Sequence, residues 1–158
     1  FRRVLFRSFV QMCLPHITRK RDDPSWAQVL LKATVPEGLK LILEHGVDPD
    51  VADDAGYTVL HHVASDHCRT PNDEARVQRV TLLLDAGASL TKRDLLLKST
   101  PLGWACRWGR AELVRLYLER GADPVEADAE RWATPLAWAT KRGHHEIVEL
   151  LASRGVRA

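Results

Sequence analysis

The segment at residues 61–68, His-His-Val-Ala-Ser-Asp-His-Cys, holds the densest group of chemically active side chains in this sequence. Imidazole, carboxylate and thiol groups are the ligands that bind zinc in proteins. Neighbouring residues of a helix point about 100° apart, however, so His61 and His62 cannot easily face one ion. We therefore expect no metal site here.

No other arrangement of residues predicts catalysis. The sequence has no glycine-rich phosphate loop, no nucleophile elbow and no His-Glu-x-x-His motif. Its acidic residues are scattered, as on a solvated surface, and the sequence proposes no base for a serine or cysteine nucleophile. We expect no catalytic residue and no cofactor.

A second group of residues is basic and aromatic, and it comprises Arg107, Arg110, Arg115, Lys141 and Arg142 with Trp104 and Trp108. Cations hold phosphates and indole rings stack on bases, so such a group can bind nucleic acid. Arginine is equally common on exposed helix faces that have acidic neighbours. Nucleic acid is therefore the less favoured partner.

The net charge of +2 depends on the beginning of the chain. Residues 1–8, Phe-Arg-Arg-Val-Leu-Phe-Arg-Ser, resemble a translated sequencing adapter, which we interpret as a non-native segment. The alternative is a short basic amphipathic helix. Without the arginines of this segment, 20 basic residues face 21 acidic ones and the net charge is −1, which does not indicate nucleic-acid binding. Residues 9–23 are predicted to be a linker or the remnant of an N-terminal cap.

The three cysteines, Cys13, Cys68 and Cys106, are far apart and form no Cys-x-x-Cys pair. This odd, dispersed set argues against a disulfide framework and favours a reducing compartment such as the cytoplasm. No run approaches the roughly 18 apolar residues that a membrane-spanning helix requires, so we expect no membrane partner.

The elements that position these side chains come from a repeat of 34 residues in the second half of the chain. The two copies share a Thr-Pro-Leu opening, a tryptophan, two glycines and apolar positions: Thr100 and Thr134, Trp104 and Trp138, Gly109 and Gly143, Val114 and Val148, Leu116 and Leu150, and Gly121 and Gly155. So many matches in one register are not coincidence.

Each copy predicts two short helices. Threonine caps the first helix, proline suits its first turn, and Gly109 or Gly143 ends it in a left-handed conformation. The second helix carries an apolar stripe, which comprises Leu113, Val114, Leu116, Tyr117 and Leu118 in one copy and Ile147, Val148, Leu150 and Leu151 in the next. Helices this short persist only when neighbouring units bury their stripes.

Two earlier units follow the same order with weaker matches. Thr58 opens the second unit, and its terminal glycines, Gly46 and Gly87, stand 41 residues apart instead of 34. The difference predicts an insertion of about seven residues, which we place in an exposed loop at residues 66–74. In the first unit, Ser25 and Trp26 replace the Thr-Pro pair.

The Thr-Pro-Leu openings, Gly-His-His-Glu-Ile-Val at residues 143–148 and Gly-Ala-Asp at residues 121–123 resemble the ankyrin repeat. The resemblance covers a domain at residues 24–158, with units at about 24–52, 53–93, 94–127 and 128–158. It implies an all-α solenoid of about four helix-turn-helix units, whose neighbours are joined by β-hairpin-like fingers that project to one side.

The sequence departs from the ankyrin pattern in its last two units. The helix histidine, which is kept as His61, is replaced by Gly103 and Ala137 in these units. The finger glycine, which is kept as Gly56, is replaced by Lys98 and Trp132. We expect the later units to lose the hydrogen bond of that histidine. Asp94 and Asp128 lie one residue early, which predicts that their fingers are one residue longer.

The resemblance implies function by surface, because ankyrin stacks bind proteins through finger tips and a concave face. Trp108 lies just before a turn glycine, at a position that faces the concave surface, so we predict that it is exposed beside Arg107, Lys141 and Arg142. An acidic and aromatic partner would suit this group, whereas the alternative is that Trp108 packs on a neighbouring turn. A second, apolar strip is predicted at the finger tips, from Tyr57, Leu95, Leu96, Leu97 and Trp132.

These observations predict a monomeric, non-catalytic scaffold for protein–protein interaction. The alternative is an accessory or inhibitory ankyrin segment of a larger enzyme, whose catalytic part lies upstream of the sequence. The equivalent tryptophans Trp104 and Trp138 are expected to lie partly in the core.

Overall fold

A computed structural model describes residues 20–65 and 72–156, and this part of the chain contains eight α-helices and no strand. The helices are α1 (Ser25–Lys32), α2 (Pro36–Glu44), α3 (Val59–Ala64), α4 (Asp73–Asp85), α5 (Pro101–Arg107), α6 (Ala111–Glu119), α7 (Pro135–Arg142) and α8 (His145–Ser153). The adapter-like segment at residues 1–8 and the candidate ligands His67 and Cys68 lie outside the described residues.

The helices form two rows, as the all-α solenoid requires. The first helices of the units, α1, α3, α5 and α7, pack one against the next, and the second helices, α2, α4, α6 and α8, form the other row. Within the last three units, the first helix also packs against the second. Each helix thus gains most of its contacts from the adjacent units and from its own pair.

The predicted helix ends are confirmed in the last two units. Thr100 Oγ1 and Thr134 Oγ1 each accept a hydrogen bond of 3.2 Å from the backbone N–H of the third residue of the helix that follows. A proline occupies the first position of both helices, where its missing donor is not needed. Gly109 and Gly143 have φ angles of +68° and +73°, a left-handed conformation that glycine adopts without steric cost.

The core consists of the stripes on the second helices and the inner faces of the first helices. In α6, Leu113 and Tyr117 are fully buried, whereas Leu116 is only half-buried. Leu150, the equivalent residue of α8, is also half-buried. The prediction of Leu116 as a core residue is therefore wrong. At 100° per residue, it lies about 130° from the centre of the buried face.

The loop predicted at residues 66–74 extends too far, because the next helix begins at Asp73. Residues 66–71 are not described, but Asp73 and Glu74 form the first turn of α4. The side chain of Asn72 accepts a hydrogen bond of 2.8 Å from the N–H of Ala75 and caps this helix. An asparagine cap followed by two acidic residues favours a helix start, and that effect outweighs the turn tendency of the segment.

The connections between units form the expected fingers, although only one has a β-bridge among the described residues, between Ala52 and Thr58. In the first finger the N–H of Asp53 bonds to the carbonyl of Tyr57, and in the second the N–H of Asp94 bonds to the carbonyl of Ser99. The extra residue predicted after Asp94 is therefore confirmed.

No helix in the part of the chain described here is long and apolar enough to cross a membrane.

The assigned helix face predicts unequal costs for two identical substitutions in α6. Leu113→Ala should lower the free energy of unfolding by about 2–5 kcal/mol, because it removes a buried leucine and leaves a cavity. Leu116→Ala should cost less than half as much, since this side chain is already partly in water. Urea unfolding followed by circular dichroism measures both variants. Equal losses would contradict the face described above.

Candidate functional site

His61 and His62, which begin the segment at residues 61–68, contact different parts of the fold. His61 is buried, its Nδ1 accepts from the N–H of Thr58 at 3.1 Å, and its Nε2 donates to the carbonyl of Ser99 at 3.2 Å. Burial lowers the pKa of His61 from 6.5 to about 4, so the ring is neutral. His62 Nε2 lies 2.9 Å from a carboxylate oxygen of Asp53. Within residues 20–65 and 72–156, no three potential ligand side chains form a metal site.

Ser99 replaces the missing histidine contact at the next junction. Its hydroxyl lies 3.3 Å from the carbonyl of Ala133, which is the residue equivalent to Ser99 one unit further on. The indole Nε1 of Trp138 donates to the same hydroxyl at 2.7 Å. A Cβ atom at Gly103 would lie 3.2 Å from the Ser99 Cβ, so the glycine makes room for this arrangement. The hydrogen bond of the histidine side chain is lost at Gly103, as expected, and the Ser99 hydroxyl, which lies 3.2 Å from the carbonyl of Leu97 and 3.3 Å from that of Ala133, occupies its place at this junction.

Asp94 organises the second finger from within. Its buried carboxylate accepts four hydrogen bonds, from the N–H groups of Leu96, Leu97 and Ser99 at 2.9, 2.6 and 3.1 Å and from the indole of Trp104 at 2.9 Å. A buried carboxylate with four donors fixes both the backbone of the finger and the first helix beneath it. The backbone that carries the finger-tip side chains is therefore held in place.

Asp128, the sequence equivalent of Asp94, has a different role. It is exposed and accepts a hydrogen bond of 3.1 Å from Arg93 of the preceding finger. The same guanidinium lies 2.8 Å from Glu126 Oε2 and donates to the carbonyl of Lys98 at 2.9 Å. Glu126 is buried, which raises its pKa, and it accepts a hydrogen bond from Thr100 at 2.5 Å. This set of contacts joins the second finger to the third.

Lys98 and Glu126 have φ angles of +52° and +46°, although neither is glycine. Lys98 therefore keeps the left-handed conformation of the finger glycine that it replaces. The contacts of Arg93 with Lys98 and Glu126 hold both strained positions in place.

Aromatic rings and one guanidinium form a row along the first helices. The rings of Tyr57 and Trp104 meet edge to face with centroids 5.0 Å apart. Arg107 follows, with its Cζ 6.0 Å from the ring centroid of Trp104 and 4.6 Å from that of Trp138. The row ends where Trp138 meets the exposed ring of Trp132 at 6.0 Å. Arg107 is held by cation–π contacts across a unit junction.

The basic and aromatic group does not lie on a single surface. Trp104 is buried, so its faces are not available for stacking on bases. Arg115 belongs to a second helix and pairs with Glu112 and Glu146 at 2.6 and 2.5 Å. Arg110 donates to the carbonyl of Ala64. Only part of the group faces the first-helix side of the molecule.

A cavity of about 230 Å³ lies between the third and fourth units and is lined by Arg107, Trp108, Arg142 and His144. Three of the predicted site residues therefore come together. The fourth, Lys141, lies nearby with its Nζ 5.6 Å from the ring of Trp138 and does not line the cavity. His144 was not predicted. Its Nε2 donates to the carbonyl of Arg107 at 3.2 Å, which fixes the ring at the cavity wall.

The predicted exposure of Trp108 is wrong. Its side chain is only half-exposed and packs against the hydrophobic core from the end of α5. Packing against the core removes a large part of the indole surface from water. The free energy gained by this burial favours the packed position over full exposure of the ring. Trp108 therefore contributes one accessible part of its ring to the cavity wall.

The finger tips present a narrower apolar strip than predicted. Leu96 is 66% and Trp132 50% exposed, and Leu95 is exposed next to Gly56 on the neighbouring finger. Tyr57 and Leu97 are half-buried against the core, so they support the strip from below. Val125, which was not singled out from the sequence, is exposed as well. Its equivalent one unit earlier is the polar residue Thr91, and a polar residue at that position is the signal that could have identified it.

The sequence matches a family model described as ankyrin repeats (3 copies), over residues 27–128 and again over residues 72–158. No curated protein matches the chain.

The contacts of His61 predict that acid destabilises the fold through this residue. Its pKa is about 4 in the folded protein and near 6.5 when unfolded, so below pH 6.5 only the unfolded chain gains the proton. The free energy of unfolding should fall by on the order of 2–3 kcal/mol from this source between pH 7 and pH 4.5. His61→Asn should lack this part of the dependence, as measured by urea unfolding at both pH values. An identical pH dependence in the variant would refute the assignment.

The packing of Trp108 predicts a stability cost that a fully exposed residue would not have. Trp108→Ala should lower the free energy of unfolding by about 1–3 kcal/mol, because apolar contacts with the core are lost. Val35→Ala, at an exposed site in the α1–α2 connection, is the control and should change it by less than about 0.5 kcal/mol. Thermal unfolding of both variants makes the comparison, and similar melting temperatures would contradict the packing role.

Proposed function

Because this chain belongs to the ankyrin-repeat family, we propose that it is a scaffold that binds another protein through its finger tips and concave face. Ankyrin repeats generally mediate protein–protein interaction, and domains built from them are typically non-catalytic. The proposal extends this general role to particular residues of the chain.

The apolar strip at the finger tips is the observation that carries the proposal. Leu95, Leu96, Val125 and Trp132 are large, exposed and apolar. Leu95 and Leu96 lie on the second finger and Trp132 on the third, which Val125 precedes. Exposed apolar residues that cluster in this way mark interaction surfaces on soluble proteins. A tryptophan that is half-exposed and already oriented is also the residue type that most often dominates binding energy.

The rigidity of the fingers supports the same proposal. The carboxylate of Asp94 fixes the backbone beneath Leu96, and the ion pairs of Arg93 with Glu126 and Asp128 join two fingers. A surface that is ordered before binding loses less conformational entropy when a partner docks. The fingers therefore present their tips in a form that a partner can bind directly.

The concave face extends this surface with positive charge. The positive charge comes from three residues at the ends of α5 and α7, beside the rings of Trp104 and Trp138: Arg107, Lys141 and Arg142. The proposed partner therefore contacts an apolar strip at the fingers and a cationic region at the first helices. We place this function in the cytoplasm and assign it to a monomer, and both assignments are predictions.

Affinity capture with the full chain as bait tests the proposal, with each captured protein quantified by mass spectrometry. Leu96→Ala and Trp132→Ala should each reduce recovery of the partner, and Trp132→Ala should weaken its affinity by about 2 kcal/mol, or roughly thirtyfold. Val35→Ala is the control, since it shortens an exposed apolar side chain away from the fingers. Recovery that responds equally to Leu96→Ala and Val35→Ala would rule out the finger tips as the binding surface.

A further inference from the structure

The cavity between the third and fourth units has a positive lining with no compensating acid. Two of its four lining residues, Arg107 and Arg142, carry guanidinium groups, and the others are Trp108 and His144. None of the four is a carboxylate. Positive groups that share a cavity repel one another, and an anion placed between them relieves that repulsion.

Four other arginines of the described residues have acidic partners. Arg76, Arg93, Arg115 and Arg120 each lie within 3.1 Å of an aspartate or glutamate oxygen. Among the residues that the structure describes, neither Arg107 nor Arg142 has such a partner within salt-bridge distance. The cavity thus holds two positive charges that no described carboxylate pairs with directly, although the charge of Asp94, whose carboxylate is already hydrogen-bonded within its finger, partly offsets that of Arg107.

Arg107 is held in place before any ligand arrives. Its guanidinium stacks on Trp138 at 4.6 Å, and its Nε–H is buried without a hydrogen-bond acceptor among the described residues. Burial, followed by repulsion from Arg142, lowers the pKa of Arg107. The group stays protonated, because the ordinary pKa of arginine lies far above neutral pH. A guanidinium that lines the cavity in a fixed position loses little conformational freedom when it donates a charge-assisted hydrogen bond to an anion there.

We propose that this cavity binds the carboxylate of an aspartate or glutamate in an acidic segment of the partner protein. Arg107 and Arg142 donate to the carboxylate, and the accessible part of the Trp108 indole packs against the apolar portion of the same segment. This inference rests on the proposed function, since it adds a specific subsite to the concave face. It also gives the partner a chemistry, with apolar residues at the fingers and an acidic residue at the cavity.

A carboxylate fits this site better than a phosphate group does. The lining supplies two guanidinium groups, of which one is stacked and partly desolvated, and this matches the two oxygens of a single carboxylate. A phosphoryl group brings a further negative charge and a third acceptor oxygen, for which the cavity has no third arginine or lysine. Binding of single-stranded nucleic acid typically adds stacking of bases on aromatic rings, whereas Trp104 and Trp138 beside this cavity are buried.

The test is a titration of the full chain with a blocked tetraglutamate peptide, followed by nuclear magnetic resonance. The side-chain N–H signals of Arg107, Arg142 and Trp108 should shift and saturate. Arg142→Gln should weaken the affinity about tenfold, as expected when one charge-assisted contact is lost. Arg154→Gln is the matched control, because it removes the same charge from an exposed arginine outside the cavity, and it should change the affinity less than about twofold.

Three results would overturn the inference. Blocked tetraglutamine could shift the same signals equally, which would show that charge is not recognised. The two arginine variants could weaken binding equally, which would show a diffuse electrostatic effect. A tetrapeptide of phosphoserine could bind more than about tenfold tighter than tetraglutamate, which would assign the cavity to a phosphopeptide.

The peptide titration and the capture experiment can fail separately. Tetraglutamate binding is read at the cavity and needs no natural partner, so its absence would leave the effects of Leu96→Ala on capture intact. Conversely, if recovery of the partner did not change in the finger variants, the proposed function would be refuted. The N–H signals of the cavity residues would still show whether the cavity binds a carboxylate.

Discussion

Burial of short apolar stripes between neighbouring units is the interaction on which the rest of this structure depends. Helices of six to thirteen residues are marginal in water by themselves, because their few internal hydrogen bonds do not offset the entropy of ordering the chain. Leu83, Leu113 and Leu151 are buried where the second helices meet. Each unit is therefore stable only when it is stacked, and the stacking fixes the direction in which the fingers project.

Buried polar groups make this stacking specific. Burial of a carboxylate or imidazole costs free energy unless hydrogen bonds replace those with water. Asp94, Glu126 and His61 meet this requirement through contacts that cross from helix to finger or from unit to unit. The register of one unit against the next is thus set by groups that would be unsatisfied in any other alignment. The same contacts give the finger tips their fixed shape.

The two rows of helices use their surfaces differently, and this difference explains where a partner can bind. Second helices use their apolar faces for the core, and their charged faces are engaged in ion pairs such as Arg115 with Glu146 and Arg120 with Asp85. First helices leave one side open, where the tryptophan row and the cavity lie. Because no described carboxylate forms an ion pair with Arg107 or Arg142, their guanidinium groups are available to a ligand.

The sequence by itself determined the fold class, the repeat register and the helix ends of the last two units. Thr-Pro openings and terminal glycines act through local backbone chemistry, which needs no distant partner to be recognised. The second-helix stripes followed from helical periodicity, but Leu116 and Leu150 are only half-buried, because their positions on the helix point away from the centre of the buried face. The tertiary structure decided the rest. Whether Trp108 is exposed, whether Ser99 replaces a histidine, and whether Asp128 repeats Asp94 depend on contacts between residues about 34 positions apart. Those contacts exist only after the units stack, because burial and charge neutralisation are properties of the assembled surface.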